Sequence, residues 1–161
     1  MKGRGGVVML GELGAEEIND LLQSELLGRI GCIVDGWPYV VPVTYVYDGE
    51  SVYLHSSDGL KLRAMRENPQ VCFEVERISS TTDWQCVLAR GRFEPMWHDA
   101  DGYAYNLMVA RFATVTPSTS ARFERNEKAH RQAGIERPIV YRIRLLEKTG
   151  RFERISTSSP P

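Results

Sequence analysis

Two Asp-Gly pairs, Asp35-Gly36 and Asp48-Gly49, separate runs of β-branched and aromatic residues, and they restrict this chain more than any other feature. An Asp-Gly pair flanked by such runs closes a tight hairpin, because both central residues of the favoured turn need positive φ. GRIGCIV (28–34) precedes the first pair and PYVVPVTYVY (38–47) lies between the two. SVYLHS (51–56) follows the second, with Val52 and Leu54 alternating against Tyr53 and His55. The expectation is a meander of three strands.

Further strands follow. QVCFEVER (70–77) alternates Val71, Phe73 and Val75 with Cys72, Glu74 and Glu76. After a polar loop at 78–83 comes WQCVLARGRFEPM (84–96), where Gly91 marks a bulge. PIVYRIRLLE (138–147) is the sixth strand. Three or four small helices are expected. In 15–26, Ile18, Leu21, Leu22 and Leu26 share a face, Glu16 and Glu17 sit in the first turn, and Gly28 is the stop. In 57–68, Leu60, Ala64 and Met65 form the stripe, and Asn68-Pro69 ends it. The other two span 99–113 and 119–133, around the turn-prone TVTPSTS. Six short strands with peripheral helices predict a mainly β, closed or nearly closed antiparallel barrel. One domain is expected over 1–154, with MKGRGGVVML as a flexible arm and 155–161 as a flexible tail.

Charge and cysteine content narrow the function classes. The formal net charge of −1 over 161 residues gives no overall basic surface for nucleic acid. No apolar run approaches the roughly 18 residues that span a bilayer, and the N-terminal apolar stretch is too short for a signal-peptide core. A cytoplasmic protein is the expectation, with no membrane or nucleic-acid partner. Cys32, Cys72 and Cys86 each lie in an apolar run and read as buried, reduced thiols. His55, His98 and His130 are scattered without metal-ligand spacing, so no metal is expected.

One segment carries the pattern of an anion site: HSSDGLKLR (55–63). A strand ends, a polar turn with Gly59 follows, and a helix starts at once. The free N–H groups of a helix start attract anions, Ser56 and Ser57 add hydroxyls, and Lys61 adds a full charge in the first turn. An ordinary helix start with solvated Lys61 and Arg63 has the same pattern. A second candidate is Pro42, which cannot donate to a ladder and marks an edge where backbone could face a flat heteroaromatic ring. A plain edge strand reads the same way. At the start of the fifth strand, Trp84 offers a stacking surface and Gln85 a polar pair of atoms, or Trp84 simply packs. His55 is a candidate proton donor or a hydrogen-bonding group.

The order of GRIG, PYVVPVTYVYDG, VYLHSSDGLKLRAMRENPQVCFEVE and WQCVLARGRFE resembles the pyridoxamine 5′-phosphate oxidase-like FMN-binding split-barrel superfamily. Within it, the sequence is most similar to the branch related to nitroimidazole-resistance (Nim-type) proteins. YRIRLLEKTGRFE is similar to that branch too, and the likeness covers roughly 12–96 and 138–154. It implies a six-stranded split β-barrel in a homodimer with FMN at the interface. The backbone of Val41, Pro42, Val43, Thr44 and Tyr45 would lie along the isoalloxazine ring. His55 and Ser56 would line the ring and ribityl chain, and Lys61 would hold the phosphate. Gln85 and Cys86 would fall beside the flavin. The residue before Lys61 is Leu60, where the true oxidase has a basic pair, and Val41 and Val46 replace its second-strand basic residues. Pyridoxamine phosphate is therefore not the expected substrate. The implied function is an FMN-dependent oxidoreductase acting on a small electron-poor molecule, a nitro-aromatic being one option. The alternatives are a non-catalytic flavin-, deazaflavin- or haem-binding protein of the same fold, or a cofactor-free dimer whose cleft takes a peptide.

Overall fold

The first Asp-Gly turn forms as its sequence requires. In the computed structural model, which describes residues 7–96, 102–112 and 139–156, Asp35 has φ 50° and Gly36 φ 80°. The turn joins β2 (Leu27–Val34) to β3 (Trp37–Thr44), paired from Val34 with Trp37 out to Leu27 with Thr44. At the second turn Asp48 Oδ1 accepts the N–H groups of Glu50 and Ser51. That turn joins β4 (Val46–Tyr47) to β5 (Ser51–Ser56).

The expected continuous strand over 38–47 and the three-strand meander are not what forms. The chain breaks at Tyr45. Its N–H still bonds Leu26 O at 3.2 Å, but its side chain is buried and its hydroxyl donates to Leu22 O at 2.8 Å. Anchored there, the chain leaves β2 and crosses to the other end of the sheet. The strand order is β3-β2-β6-β7-β8-β5-β4, with β6 (Gln70–Ser80), β7 (Asp83–Pro95) and β8 (Ile139–Ser156) forming the middle. β3 and β4, adjacent in sequence, thus lie at opposite ends of one antiparallel sheet. This is the split barrel, mainly β with few helices.

Among the described residues eight strands form rather than six. Besides β4, residues 7–10 of the expected flexible arm and the two that follow form strand β1 (Val7–Glu12), paired with β8 from Val7 with Ser156 to Glu12 with Arg151. β8 runs to Ser156, into the stretch expected as tail, and most of the expected 78–83 loop is strand, with β6 reaching Ser80 and β7 starting at Asp83. The bulge at Gly91 is present as a register shift between Arg90 and Gly91.

Helix α1 (Ala15–Ser24) ends before Gly28, which lies in β2. Helix α2 (Leu60–Glu67) buries Leu62, Ala64 and Met65, while Leu60 is exposed. Leu62 and Met65 join the main core with Leu21, Leu22, Ile30, Val52, Leu54, Phe73, Val87 and Ile143. The expected 99–113 helix is present as α3 (Tyr103–Phe112), and the one at 119–133 lies outside the described residues. Ala104, Met108 and Phe112 of α3 pack on Val46 and Tyr53, which explains why β5 is buried on both faces. Arg111 fixes the end of α3 by donating to Gln23 O and Ser24 O, carbonyls at the negative end of α1. Among the described residues no helix is long and apolar enough to cross a membrane, and no cluster of metal-ligating side chains occurs. Of the three cysteines expected inside, Cys32 is buried, Cys86 is partly so, and Cys72 is exposed on the outer face of β6.

Candidate functional site

β5 ends at Ser56, and α2 begins at Leu60, directly after a three-residue turn, with Gly59 extended as its N-cap. No side chain caps this helix start, and its first turn holds no acidic residue. The N–H groups of the first turn are thus left to point at whatever occupies the space beyond them. Lys61 is half-buried there, and among the described residues it has no ion-pair or hydrogen-bond partner. Burial pulls its pKa below the usual lysine value, and no carboxylate offsets that. The adjacent acid, Asp58, is bound to Arg66 at 2.9 Å. A partly desolvated cation beside uncapped helix donors is a site prepared for an anion.

His55 and Cys32 belong to the same cluster. Burial, and then the Lys61 ammonium, push the His55 pKa down to about 4. Its imidazole is therefore neutral at pH 7. In that state it can hydrogen-bond a ligand. Burial raises the Cys32 thiol against the opposing pull of Lys61. Ser56 Oγ donates to Ser57 O at 2.9 Å.

The low His55 pKa has a stability consequence. The unfolded chain takes up a proton near the usual 6.5, whereas the folded chain resists it down to about 4. The unfolded state therefore binds more protons in that window, and stability falls as pH drops through it. Between pH 7 and pH 5 the loss from this group is about 2 kcal/mol. Urea unfolding at the two pH values should show it in the wild type, with most of it gone in His55→Gln. Equal pH dependence in the two proteins would assign the loss elsewhere.

β3 supplies the second part of the site. Tyr45 N–H points to β2, so Val43 and Val41 do too, and Pro38, Val40, Pro42 and Thr44 turn their backbone to the free edge. The two prolines remove half of the outward donors. What remains is four carbonyls and the N–H groups of Val40 and Thr44. Val43 is buried inward and Val41 packs against the core, so neither presents its side chain to the edge. The Tyr45 ring is taken up by the interior, edge-on to Phe73 with centroids 4.8 Å apart.

The third part lies elsewhere. Trp84 pairs with Glu153 of β8, Cys86 with Arg151, and His55 with Val140. Val140 and Glu153 are thirteen residues apart along β8. Trp84, Gln85 and Cys86 therefore lie beside the opposite end of β8 from His55. Trp84 Nε1 donates to Glu153 at 3.0 Å. Burial, with the charges of Glu74 and Glu76, holds the Cys86 thiol protonated. Arg29 binds both of those glutamates, at 3.0 and 2.7 Å.

The sequence model of pyridoxamine 5′-phosphate oxidase matches residues 14–152. The chain belongs to this family. A pyridoxamine 5′-phosphate oxidase family member of this kind has solved relatives of the same fold. A FAD-binding protein from Mesorhizobium loti is 26% identical with a TM-score of 0.66, covering 89% of this chain and 98% of that one. The FAD-binding protein of Mycobacterium smegmatis is also 26% identical, TM-score 0.60, over 88% of this chain and 98% of that one. A protein described as a 5-nitroimidazole antibiotic resistance protein from Bacteroides thetaiotaomicron has TM-score 0.68 over 91% of this chain and 89% of its own, at 19% identity, and shares the fold. An uncharacterised protein of Rhizobium meliloti is 32% identical over 84 residues, 52% of this chain and 56% of that relative. The matched stretch thus spans about half of that curated relative.

Two features of this family member were not found from sequence. Cys32 was assigned to the core, and its approach to Lys61 follows from α2 packing against β2, which no local pattern encodes. Tyr141 occupies an inward position that the alternation of 138–147 does give. Its hydroxyl, however, is fully buried without a hydrogen-bond partner among the described residues, and burial raises its pKa. An orphaned buried hydroxyl costs about 1–3 kcal/mol, and nothing in the alternation announces it.

Proposed function

We propose that the protein is an FMN-binding oxidoreductase whose pocket is completed by a second copy of the chain. The observation that carries this reading is Lys61, a half-buried ammonium with no counter-charge, set at an uncapped helix start. A phosphate dianion satisfies both. A single buried cation suits the one phosphate of FMN, and the similar proteins described as FAD-binding support a flavin. The free edge of β3 offers the carbonyl and N–H pattern that the polar rim of a flat ring requires, from Pro42 and Thr44 in particular. Bound flavin would supply the electron transfer, and this chain would bind the phosphate through Lys61, orient the ring along β3, and present neutral His55 to the substrate. A small, electron-poor molecule, such as a nitro-aromatic, is the substrate class this reading favours. The placement of Trp84, Gln85 and Cys86 at the opposite end of β8 from His55 supports a two-chain pocket in which the partner supplies them.

An absorbance spectrum of freshly purified protein tests the cofactor. Paired flavin bands with released FMN support the reading, and a single intense Soret band overturns it in favour of haem. Mixing two defective variants tests the pocket. Lys61→Glu and a Trp84→Arg/Gln85→Glu double variant should each bind little FMN. Refolded together at equal amounts, they should recover about a quarter of wild-type sites, because half the dimers are mixed and each mixed dimer holds one intact site. A pocket built within one chain recovers none.

A further inference from the structure

β7 and β8 gather four arginines on the outer face of the sheet. Phe93 and Ile143 point into the core, so their neighbours Arg92, Glu94, Arg142 and Arg144 point out. Arg142 and Arg144 both bind Glu94, at 2.7 and 3.1 Å, and Arg90 binds Glu147 at 3.3 Å. Two carboxylates are thus shared among four guanidinium groups. Arg92 is left over: it is exposed, and among the described residues its guanidinium has no ion pair or hydrogen bond. It also lies directly opposite Arg144 in the ladder, where like charges repel. In a chain of formal net charge −1, this patch is locally positive.

Beside the patch is a cavity of about 700 Å³. One row of cross-strand partners runs across it: Val40, Gly31, Cys72, Arg90 and Glu147. Gly31 has no side chain and Cys72 a small one, so the row dips at its middle, and a glycine within a strand lets a ligand lie close to the backbone. The bulge between Arg90 and Gly91 leaves Leu146 without a partner on β7. Leu145 is buried while Leu146 and Glu147 both line the cavity, so the bulge turns two successive side chains outward and raises an apolar wall there. Glu147 is the one acid in the lining, and Arg90 neutralises it. Gln70, also in the lining, pairs with Arg92 in the ladder, which brings the unmatched guanidinium to the rim. We propose that this cavity binds a small carboxylic acid with a flat aromatic body, its ring over Gly31 and its carboxylate on Arg92 and Arg144. The apolar dip takes the ring. The guanidinium fork suits a carboxylate, and the added anion relieves the repulsion between the two arginines. Neither Lys61 nor His55 lines this cavity, and the proposal goes beyond the flavin reading without resting on it.

Calorimetric titration of the full chain with naphthoate, and with the uncharged naphthalenemethanol, tests both halves of the site. Arg92→Glu should weaken naphthoate by about tenfold or more and leave the alcohol unchanged. Gly31→Val should abolish binding of both by filling the dip. That variant should still fold, because a Cβ at position 31 meets only Cys72 Cβ at 3.6 Å and Val40 Cγ2 at 3.9 Å, which is ordinary contact. Naphthoate affinity should be the same in Lys61→Glu and in the presence of FMN, so failure of the flavin reading leaves this result standing. Absence of naphthoate binding, equal affinity in wild type and Arg92→Glu, or displacement of naphthoate by FMN would each overturn the proposal. So would binding that disappears as protein concentration rises, since a second copy of the chain would then cover the cavity.

Discussion

Lys61→Glu should lower FMN affinity at least a thousandfold while leaving the protein folded. Two unit charges about 4 Å apart interact by about 4 kcal/mol at the effective dielectric of a partly buried site. The substitution removes one such attraction and adds a repulsion, so a loss of about 4 kcal/mol is a modest expectation after solvent relaxation. Lys61→Met separates charge from binding. It should cost about thirtyfold in affinity, yet the flavin-free protein should unfold at equal or higher urea, because a half-buried ammonium without a partner destabilises the empty fold. Lys61→Arg keeps the charge and should stay within tenfold of wild type. Fluorescence quenching of FMN on titration measures all three. A change below tenfold for Lys61→Glu would put the phosphate elsewhere, and loss of stability in Lys61→Met would mean that the ammonium has a structural partner.

The elements legible in the sequence are those fixed locally. The turn at Asp35-Gly36 follows from positive φ, the Val71-Phe73-Val75 face from strand alternation, and the bulge from Gly91. The place of Lys61 in the first turn of α2 was legible by the same local logic, since a turn is followed at once by a helix. What escaped was set by distant contacts. The break between β3 and β4 depends on Tyr45 reaching Leu22, 23 residues away. β1 escaped because its residues are exposed on both faces and show no alternation. Leu60 and Leu62 differ by two positions on a short helix, and only the packing of α2 into the barrel decides which is buried. The distance between His55 and Trp84 follows from the register of β8 with two different strands, which periodicity within either strand does not encode. Cys72 and Cys86 read as core because their strands are apolar, yet both face outward, on the side where Arg29 binds Glu74 and Glu76.

Phe73 ties the core to the candidate site, and its removal should be the most damaging change to the fold. Its ring is fully buried, stacked edge-on against Tyr45 on one side and resting over Gly28 on the other. Phe73→Ala should destabilise by about 3–5 kcal/mol, a large share of what a domain of this size has in total. The cost has a specific form because of Gly28. A Cβ at position 28 would lie 2.5 Å from Phe73 Cζ and 2.8 Å from the Glu74 carbonyl, so Gly28→Ala alone should cost about 1–3 kcal/mol by overpacking. Combined with Phe73→Ala, the clash with the ring disappears and the clash with the backbone carbonyl remains. The double variant should therefore be less damaged than the sum of the two singles by about 1 kcal/mol, a coupling that urea unfolding resolves. The same pair separates the two halves of the proposed flavin site. Loss of Phe73 frees Tyr45, the point where β3 leaves β2, and should weaken FMN binding through the ring edge, with the Lys61→Met effect on affinity unchanged in that background. Strict additivity of Phe73→Ala and Gly28→Ala would show that the ring yields to an added methyl group, and that the glycine is not required by the close approach.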